Sequence, residues 1–130
     1  MTTKGKTFHD NRDAAEEEFI ALRHKLVRLQ RKLYAEGKQK LMILFQAMDA
    51  GGKDGTILRV FRGVKPQGVR VWSFKRPTEH ELAHDFLWRV HRRVPADGMI
   101  GLFNRSHYED VLVVRVEDLV PGSLWRPRYE

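Results

Sequence analysis

Apolar residues recur at helical spacing near the start of the chain. Between Asp13 and Glu36 they step by three and four positions and therefore share one face of a helix. The acidic run at 16–18 precedes the basic residues, which suits the helix dipole, and Gly37 suits the end of a helix. We predict a loose segment over 1–12 and a helix over 13–36 that packs on the core, with oligomer contact as the alternative. The apolar positions are Phe19, Leu22, Leu26, Leu29 and Leu33.

Three short apolar runs follow, and each has the length of a strand. They occupy Lys40–Met48, Val69–Lys75 and Met99–Asn104. The first is nearly continuously apolar, which is typical of a strand buried on both faces of a parallel sheet. The second is rich in β-branched and aromatic residues.

Helical patterns separate these runs. One covers 54–64, and another begins at Pro77, where Thr78 and Glu81 form the pattern of a capping box. We predict one helix there, with Leu82, Phe86, Val90 and Val94 at four-residue spacing. Strand alternating with helix three times favours right-handed β-α-β units and a parallel α/β sheet. The pattern predicts one domain, with the helix at 13–36 and an α/β core over 40–130.

Composition points to a packed protein with an anionic partner. Hydrophobic residues make up 42% of the 130 positions, and 24 Lys and Arg outnumber 17 Asp and Glu, for a net charge of +7. Such an excess favours nucleic acid, anionic membranes or phosphate chains as partners. There is no cysteine, which excludes a disulfide framework and a thiolate zinc site. Without a long apolar run or a signal-peptide core, a cytoplasmic protein is expected.

The segment "QAMDAGGKDGTI" follows the first apolar run and resembles a phosphate-binding loop. In the pattern G-x-x-x-x-G-K-[ST], Gly52 and Lys53 match, Ala47 replaces the first glycine, and Asp54 takes the Ser/Thr place, with Thr56 two further on. Ligands bind beyond the carboxyl ends of strands in α/β sheets, which is where this loop falls. A plain strand-to-helix turn with a surface lysine is the alternative.

Asp49 lies inside this loop and changes its interpretation. A carboxylate among bound phosphates is unfavourable unless a cation or a proton accompanies it. Asp49 is therefore expected to help hold Mg²⁺ or to orient an attacking phosphate. A solvated turn aspartate is the alternative.

A second polar cluster, "LFNRSHYEDV", ends the third apolar run. Asn104 could bind a metal through its neutral oxygen, and Arg105 could clamp a phosphoryl group through two hydrogen bonds. Ser106 and Glu109 also have the spacing of a capping box. We expect a capping role for Ser106 and a functional role for the cluster as a whole.

The segments "QAMDAGGKDGTI", "SFKRPTEHELAHDFLWRVHRRVP" and "GLFNRSHYEDVLVVRV" together resemble the second family of polyphosphate kinases. The resemblance covers the chain from about Phe8 to its end. It implies a P-loop-kinase-like three-layer sandwich and phosphate transfer between inorganic polyphosphate and nucleotides. Many members have aspartate at the position of Asn104, and the asparagine variant with S-H-Y-E-D resembles a subgroup that phosphorylates AMP as well as ADP.

The resemblance also implies the site. Asp49, Lys53 and Arg105 would be catalytic, and Asp49 and Asn104 would hold Mg²⁺, with Mn²⁺ as an alternative. A second phosphate motif maps onto 104–106. The residues expected to bind phosphate or nucleotide are Ala50, Gly51, Gly52, Lys53, Asp54, Gly55, Thr56, Lys75, Arg76, Asn104 and Arg105. Arg62, Lys65 and Arg70 could extend a basic track for the phosphate chain, although a solvated face is the alternative.

One departure from the family concerns its lid and later strands, which have no counterpart here after 130. We therefore expect an incomplete sheet, uncovered apolar residues and self-association into a homo-oligomer. The expected partners are polyphosphate and AMP, ADP or ATP, without membrane or specific nucleic acid. Two other functions stay open: an ATP-using kinase of the thymidylate-kinase type, and a polyanion binder without catalytic activity. The apolar residues in question are Leu112, Val113, Val114, Leu119, Leu124 and Trp125.

Overall fold

The computed structural model describes residues 11–48 and 50–129, and three parallel strands form the centre of this part of the chain. The spatial order is β1-β3-β2, so the last strand in the sequence is the middle one. The predicted parallel α/β fold is thus confirmed. The strands are β1 Leu41–Phe45, β2 Val69–Ser73 and β3 Ile100–Asn104.

The strand order corrects one expectation about burial. The first strand was expected to be buried on both faces, yet Leu41 and Met42 are exposed. The reason is that β1 pairs only with β3 and forms an edge of the described sheet. It is β3, with neighbours on both sides, that is buried at every residue.

One long helix precedes the strands, and short helices lie between and after them. The predicted first helix is confirmed: Asn11 caps it by accepting a hydrogen bond from Ala14, and Gly37 ends it in the left-handed conformation. The helix begins at Arg12, which the prediction had placed in the loose segment. Residues 1–10 lie outside the described residues. The helices are α1 Arg12–Glu36, α2 Lys53–Val60, α3 Glu79–Leu82, α4 Trp88–His91, α5 Val114–Val116 and α6 Gly122–Trp125, with a π-helical turn at Glu109–Val113 and 3₁₀ turns at Pro66–Gly68 and Arg126–Tyr129.

Two apolar layers cover the sheet. On one face, Ile57 of α2 packs with Ile100 and Leu102, and Leu33 of α1 joins them. On the other face, Val90 of α4 packs with Phe74 and Phe103. The result is a helix-sheet-helix sandwich in which β3 contributes to both layers.

The core-facing side of α1 differs from the predicted leucine face. Leu22 and Leu29 are at least half exposed, whereas Gln30 is only 1% exposed. The Gln30 amide forms two hydrogen bonds with the backbone of Lys65: its oxygen accepts from the amide N–H at 3.0 Å, and its nitrogen donates to the carbonyl at 3.4 Å. Polar complementarity, rather than leucine packing alone, fixes α1 against the loop before β2.

Replacing Gln30 with leucine should lower the free energy of unfolding by about 1–3 kcal/mol, because the Lys65 amide would lose its hydrogen-bond acceptor, whereas the Lys65 carbonyl would keep the Gly68 amide as a donor. Chemical denaturation measures the change. Gln67→Leu is the matched control, since Gln67 is exposed. Equal unfolding midpoints for the two variants would contradict this role of Gln30.

The helix predicted from Pro77 onward is divided in two. The capping box is present, with Thr78 Oγ accepting from the Glu81 amide and the Glu81 carboxylate accepting from the Thr78 amide. Helix α3 then ends at Leu82, and the chain turns before α4 begins at Trp88. Leu82 and Val94 are exposed, so the four-residue repeat does not supply the continuous packed face that would sustain a longer helix.

The part of the chain after β3 carries exposed apolar side chains, as expected. Leu112, Leu119 and Leu124 are each about half exposed or more, while Val113, Val114 and Trp125 are half-buried. Within 11–48 and 50–129, no helix has the length and apolar character needed to cross a membrane.

Candidate functional site

The three strands end side by side, and the candidate residues follow these ends. Phe45 and Ser73 both align with Asn104 in the sheet. Two further backbone bonds continue the pairing: the Arg105 amide donates to the Phe45 carbonyl and the Phe74 amide donates to the Asn104 carbonyl, both at 3.0 Å. The loop after β1, the turn after β3 and the exit of β2 therefore share one edge of the sheet.

The loop between β1 and α2 is shaped by two glycines. The Gly51 amide donates to the Met48 carbonyl at 2.9 Å and closes a turn. Gly52 has a φ of 72° and serves as the N-cap of α2, a left-handed conformation that favours glycine. Helix α2 then begins at Lys53, so its positive N-terminal end faces the loop. Asp49 lies outside the described residues. The other predicted loop residues, Ala50, Gly51, Gly52, Asp54, Gly55 and Thr56, are exposed there.

Gly51→Ala should weaken the binding of phosphate in this loop by at least about tenfold, because small displacements of a site are costly. An added Cβ would lie 2.7 Å from Ala47 Cβ and 2.9 Å from the Met48 carbonyl oxygen, so the loop must shift. Gly55→Ala is the control, since its Cβ would meet nothing within 4 Å. Equilibrium binding of a phosphate chain compares the two variants. If they bound it equally well, the loop conformation would not matter.

The side chain of Lys53 turns back into the loop. It is 8% exposed, and its ammonium donates to the carbonyl oxygens of Ala47 at 2.6 Å and Met48 at 2.8 Å. A surface lysine on a plain turn would extend into water instead. The ammonium thus lies within a loop of backbone amides at a helix N-terminus, which is an arrangement suited to phosphate.

Asp54 and Asn104 meet beside this lysine. The Asn104 amide nitrogen donates to a carboxylate oxygen of Asp54, although the two residues are 50 positions apart. The amide oxygen of Asn104 and the rest of the Asp54 carboxylate are hard donors of the kind that Mg²⁺ prefers. Within the described residues, no group of three or more His, Cys, Asp or Glu side chains could hold a metal ion. The donor set therefore fits an ion that takes most of its ligands from water and phosphate.

Arg105 occupies a special backbone position at the end of β3. Its φ is 66°, in the left-handed region that residues with side chains rarely adopt. Its guanidinium lies 3.7 Å from the Glu109 carboxylate, which also accepts a hydrogen bond at 2.7 Å from the side chain of Gln46. Gln46 directly follows β1, so this chain of contacts joins the exits of β1 and β3.

The cap expected at Ser106 is present only in part. The Ser106 hydroxyl accepts a hydrogen bond from the Tyr108 amide at 3.2 Å, but the Glu109 carboxylate contacts Gln46 and Arg105 instead of completing a box. Ser106 is fully buried. Of the segment 104–106, Arg105 is the most accessible residue.

The basic residues assigned to one track lie at two ends of the sheet. Lys75 and Arg76 follow the end of β2 and are exposed near the site. Arg70 is at the start of the same strand, and Lys65 precedes it. Parallel strands carry their sites at the carboxyl ends, so Lys75 and Arg76 lie at this edge, whereas Lys65 and Arg70 lie at the opposite end of β2 and do not continue their track.

One residue of the site was missing from the sequence prediction. Gln46 was not singled out, yet its contact with Glu109, a member of the predicted polar cluster, joins the two strand ends. The available signal for Gln46 was its place as the polar residue that interrupts the first apolar run. Asp54 was predicted to bind phosphate, and its contact with Asn104 adds a metal-binding possibility.

The chain is similar in sequence to known proteins. Residues 9–130 match the sequence model of the family described as Polyphosphate kinase 2 (PPK2). An AMP/ADP-polyphosphate phosphotransferase from Meiothermus ruber is 59% identical over 122 residues, which cover 94% of this chain and 46% of that protein. An ADP-polyphosphate phosphotransferase from Rhodopseudomonas palustris is 44% identical over 98% of this chain and 48% of its own length.

A solved structure extends the likeness to three dimensions. The crystal structure of polyphosphate kinase 2 from Arthrobacter aurescens TC1 superposes with a TM-score of 0.79 at 44% identity, over 85% of this chain and 41% of that one. The chain spans about half the length of the curated relatives it matches.

Proposed function

Because the chain belongs to the polyphosphate kinase 2 family, we propose that it moves a phosphoryl group between inorganic polyphosphate and AMP or ADP. The relatives named for AMP/ADP and ADP phosphotransfer support this pair of substrates. The observation that carries the proposal is the Lys53 ammonium, enclosed by the loop at the start of α2. A phosphate oxygen is a stronger partner for this ammonium than a neutral carbonyl, so a substrate can replace the two carbonyls.

In the proposed transfer, Lys53 and Arg105 bind the reacting phosphates. An oxygen of the nucleotide's terminal phosphate attacks the terminal phosphorus of polyphosphate in line. One P–O bond forms, the bridging P–O bond breaks, and the polyphosphate leaves shorter by one phosphate. The nucleotide phosphate is already an anion, so no strong base is needed. Lys53 and Arg105 hold phosphate oxygens and stabilise the charge that builds up on them.

A magnesium ion fits the same place. Asp54 and Asn104 would hold it, and Asp49 stays a predicted ligand. When bound, the ion neutralises phosphate charge and fixes the orientation of the phosphates. The ion pair between Arg105 and Glu109 holds the guanidinium beside the carboxylate that Gln46, at the exit of β1, also contacts.

Asp49→Asn should lower turnover by about 10- to 100-fold, with a smaller effect on nucleotide binding, since a carboxylate within a phosphate loop implies a cation. The measurement is the transfer rate as a function of Mg²⁺ concentration. Asp118→Asn removes the same charge from an exposed position outside the site and serves as control. An unchanged rate and Mg²⁺ dependence would leave Asp49 a simple turn residue.

The proposed function is tested with the purified chain, AMP or ADP, long-chain polyphosphate and Mg²⁺, by following nucleotide products and the oligomeric state. Formation of ADP or ATP from polyphosphate is expected. Transfer from ATP but not from polyphosphate would indicate a thymidylate-kinase-like enzyme instead. Salt-sensitive binding of polyphosphate without transfer would indicate a polyanion binder. Self-association and a cytoplasmic location stay predictions.

A further inference from the structure

Arg89 is a buried cation outside the phosphate loop. It lies on α4 and is 7% exposed. Burying a guanidinium is unfavourable unless charged and polar partners surround it. Its two terminal nitrogens have such partners: one donates to the Lys75 carbonyl at 2.7 Å, and the other donates to the Asp110 carboxylate at 3.1 Å. The Glu81 carboxylate lies 3.6 Å away, and the guanidinium also lies over the Phe74 ring.

These partners come from separate segments that meet at the site. The Lys75 carbonyl belongs to the exit of β2, which carries the exposed side chains of Lys75 and Arg76. Asp110 belongs to the π-helical turn that follows β3 and Arg105. The guanidinium of Arg89 therefore connects the segment that carries Lys75 and Arg76 to the segment that carries Arg105.

Burial separates Arg89 from the cations that could touch substrate. Its hydrogen bonds are directed at the protein, and two carboxylates compensate its charge. Lys75 and Arg76, in contrast, are exposed. Arg89 can thus act on a bound phosphate chain only through the segment that it holds in place.

We propose that Arg89 is a positioning residue that fixes Lys75 and Arg76 for contact with the polyphosphate chain. This inference rests on the proposed function, since it assumes that polyphosphate is bound. It deepens that function by assigning the exit of β2 to the phosphate chain. A planar guanidinium is required, because a lysine ammonium cannot bond the carbonyl and the carboxylate in the same fixed geometry.

The test is a double-mutant cycle read by calorimetric binding of polyphosphate of defined length, which needs no turnover. Arg89→Lys keeps the charge and should weaken binding at least about threefold in the unaltered chain. In the Lys75→Ala/Arg76→Ala background the same change should have almost no effect, because the side chains that it positions are gone. Arg92→Lys, at the exposed residue that directly follows α4, is the control and should leave the affinity unchanged.

Equal losses in both backgrounds would overturn the inference and leave Arg89 with a general structural role. Should Arg89→Lys fail to fold, Asp110→Asn provides the second cycle, since it keeps an acceptor and weakens only the ion pair. Non-additive losses in that cycle would support the inference, and additive losses would overturn it. If the unaltered chain bound no polyphosphate at all, the proposed function would fail first and this inference with it.

Discussion

Replacing Lys53 with alanine is expected to lower phosphate transfer by about 10²- to 10³-fold, the usual loss when one preorganised group that stabilises transition-state charge is removed. Lys53 supplies the ammonium within the loop, 2.6 and 2.8 Å from two carbonyl oxygens. During transfer, negative charge spreads over the phosphoryl oxygens, and a fixed ammonium at hydrogen-bond distance stabilises it. Steady-state kinetics with polyphosphate and ADP measure the loss.

The fold should survive this change. Ala47 and Met48, whose carbonyls lose a donor, are exposed, so water can replace the ammonium. Thermal unfolding should therefore change little. Lys38→Ala is the matched control, because Lys38 is an exposed lysine before the amino end of β1 and should transfer phosphate normally. Near-normal turnover by Lys53→Ala would mean that the loop does not bind the transferred phosphate.

Arg105→Ala is expected to lower the rate of phosphate transfer by a similar factor, about 10²- to 10³-fold. The change removes a guanidinium that can form two hydrogen bonds to one phosphoryl group. Arg105→Lys should recover only part of the rate, since an ammonium cannot form the same fork. Comparison of kcat and KM for the three proteins tests this. Equal activity of the lysine and arginine forms would reduce Arg105 to a simple positive charge.

A glycine variant separates the side chain from the backbone at the same position. The φ of 66° is strained for alanine and arginine but not for glycine. Arg105→Gly should therefore be at least as stable as Arg105→Ala and equally poor in transfer. An active glycine variant would show that the backbone conformation, rather than the guanidinium, is what the site requires.

The sequence predicted the features that depend on neighbouring residues. The strand-glycine-lysine-helix order around Gly52 and Lys53, the capping box at Thr78 and the end of α1 at Gly37 are local patterns, and each is present. Composition and periodicity predicted the parallel sheet, and the resemblance predicted the family, which the match over 9–130 confirms.

The features that were missed depend on residues far apart in the chain. Gln30 is buried because the backbone of Lys65 offers it both a donor and an acceptor, and nothing near Gln30 in the sequence indicates this. The contact between Asp54 and Asn104 is of the same kind. The division of the helix after Leu82 also escaped prediction, because its apolar spacing resembles a packed face although Leu82 and Val94 are exposed.

The strand order has a consequence for how a newly made chain folds. The middle strand, β3, is the last of the three to be synthesised, and its partners in β1 lie about 60 residues earlier. Among the described strands, Leu41–Phe45 and Val69–Ser73 therefore have no partner until Asn104 has left the ribosome. Pairing over such distances is slow, and unpaired apolar strands are prone to aggregate. Nascent chains that stop before β3 should consequently bind holdase chaperones, whereas chains that include it can close the sheet.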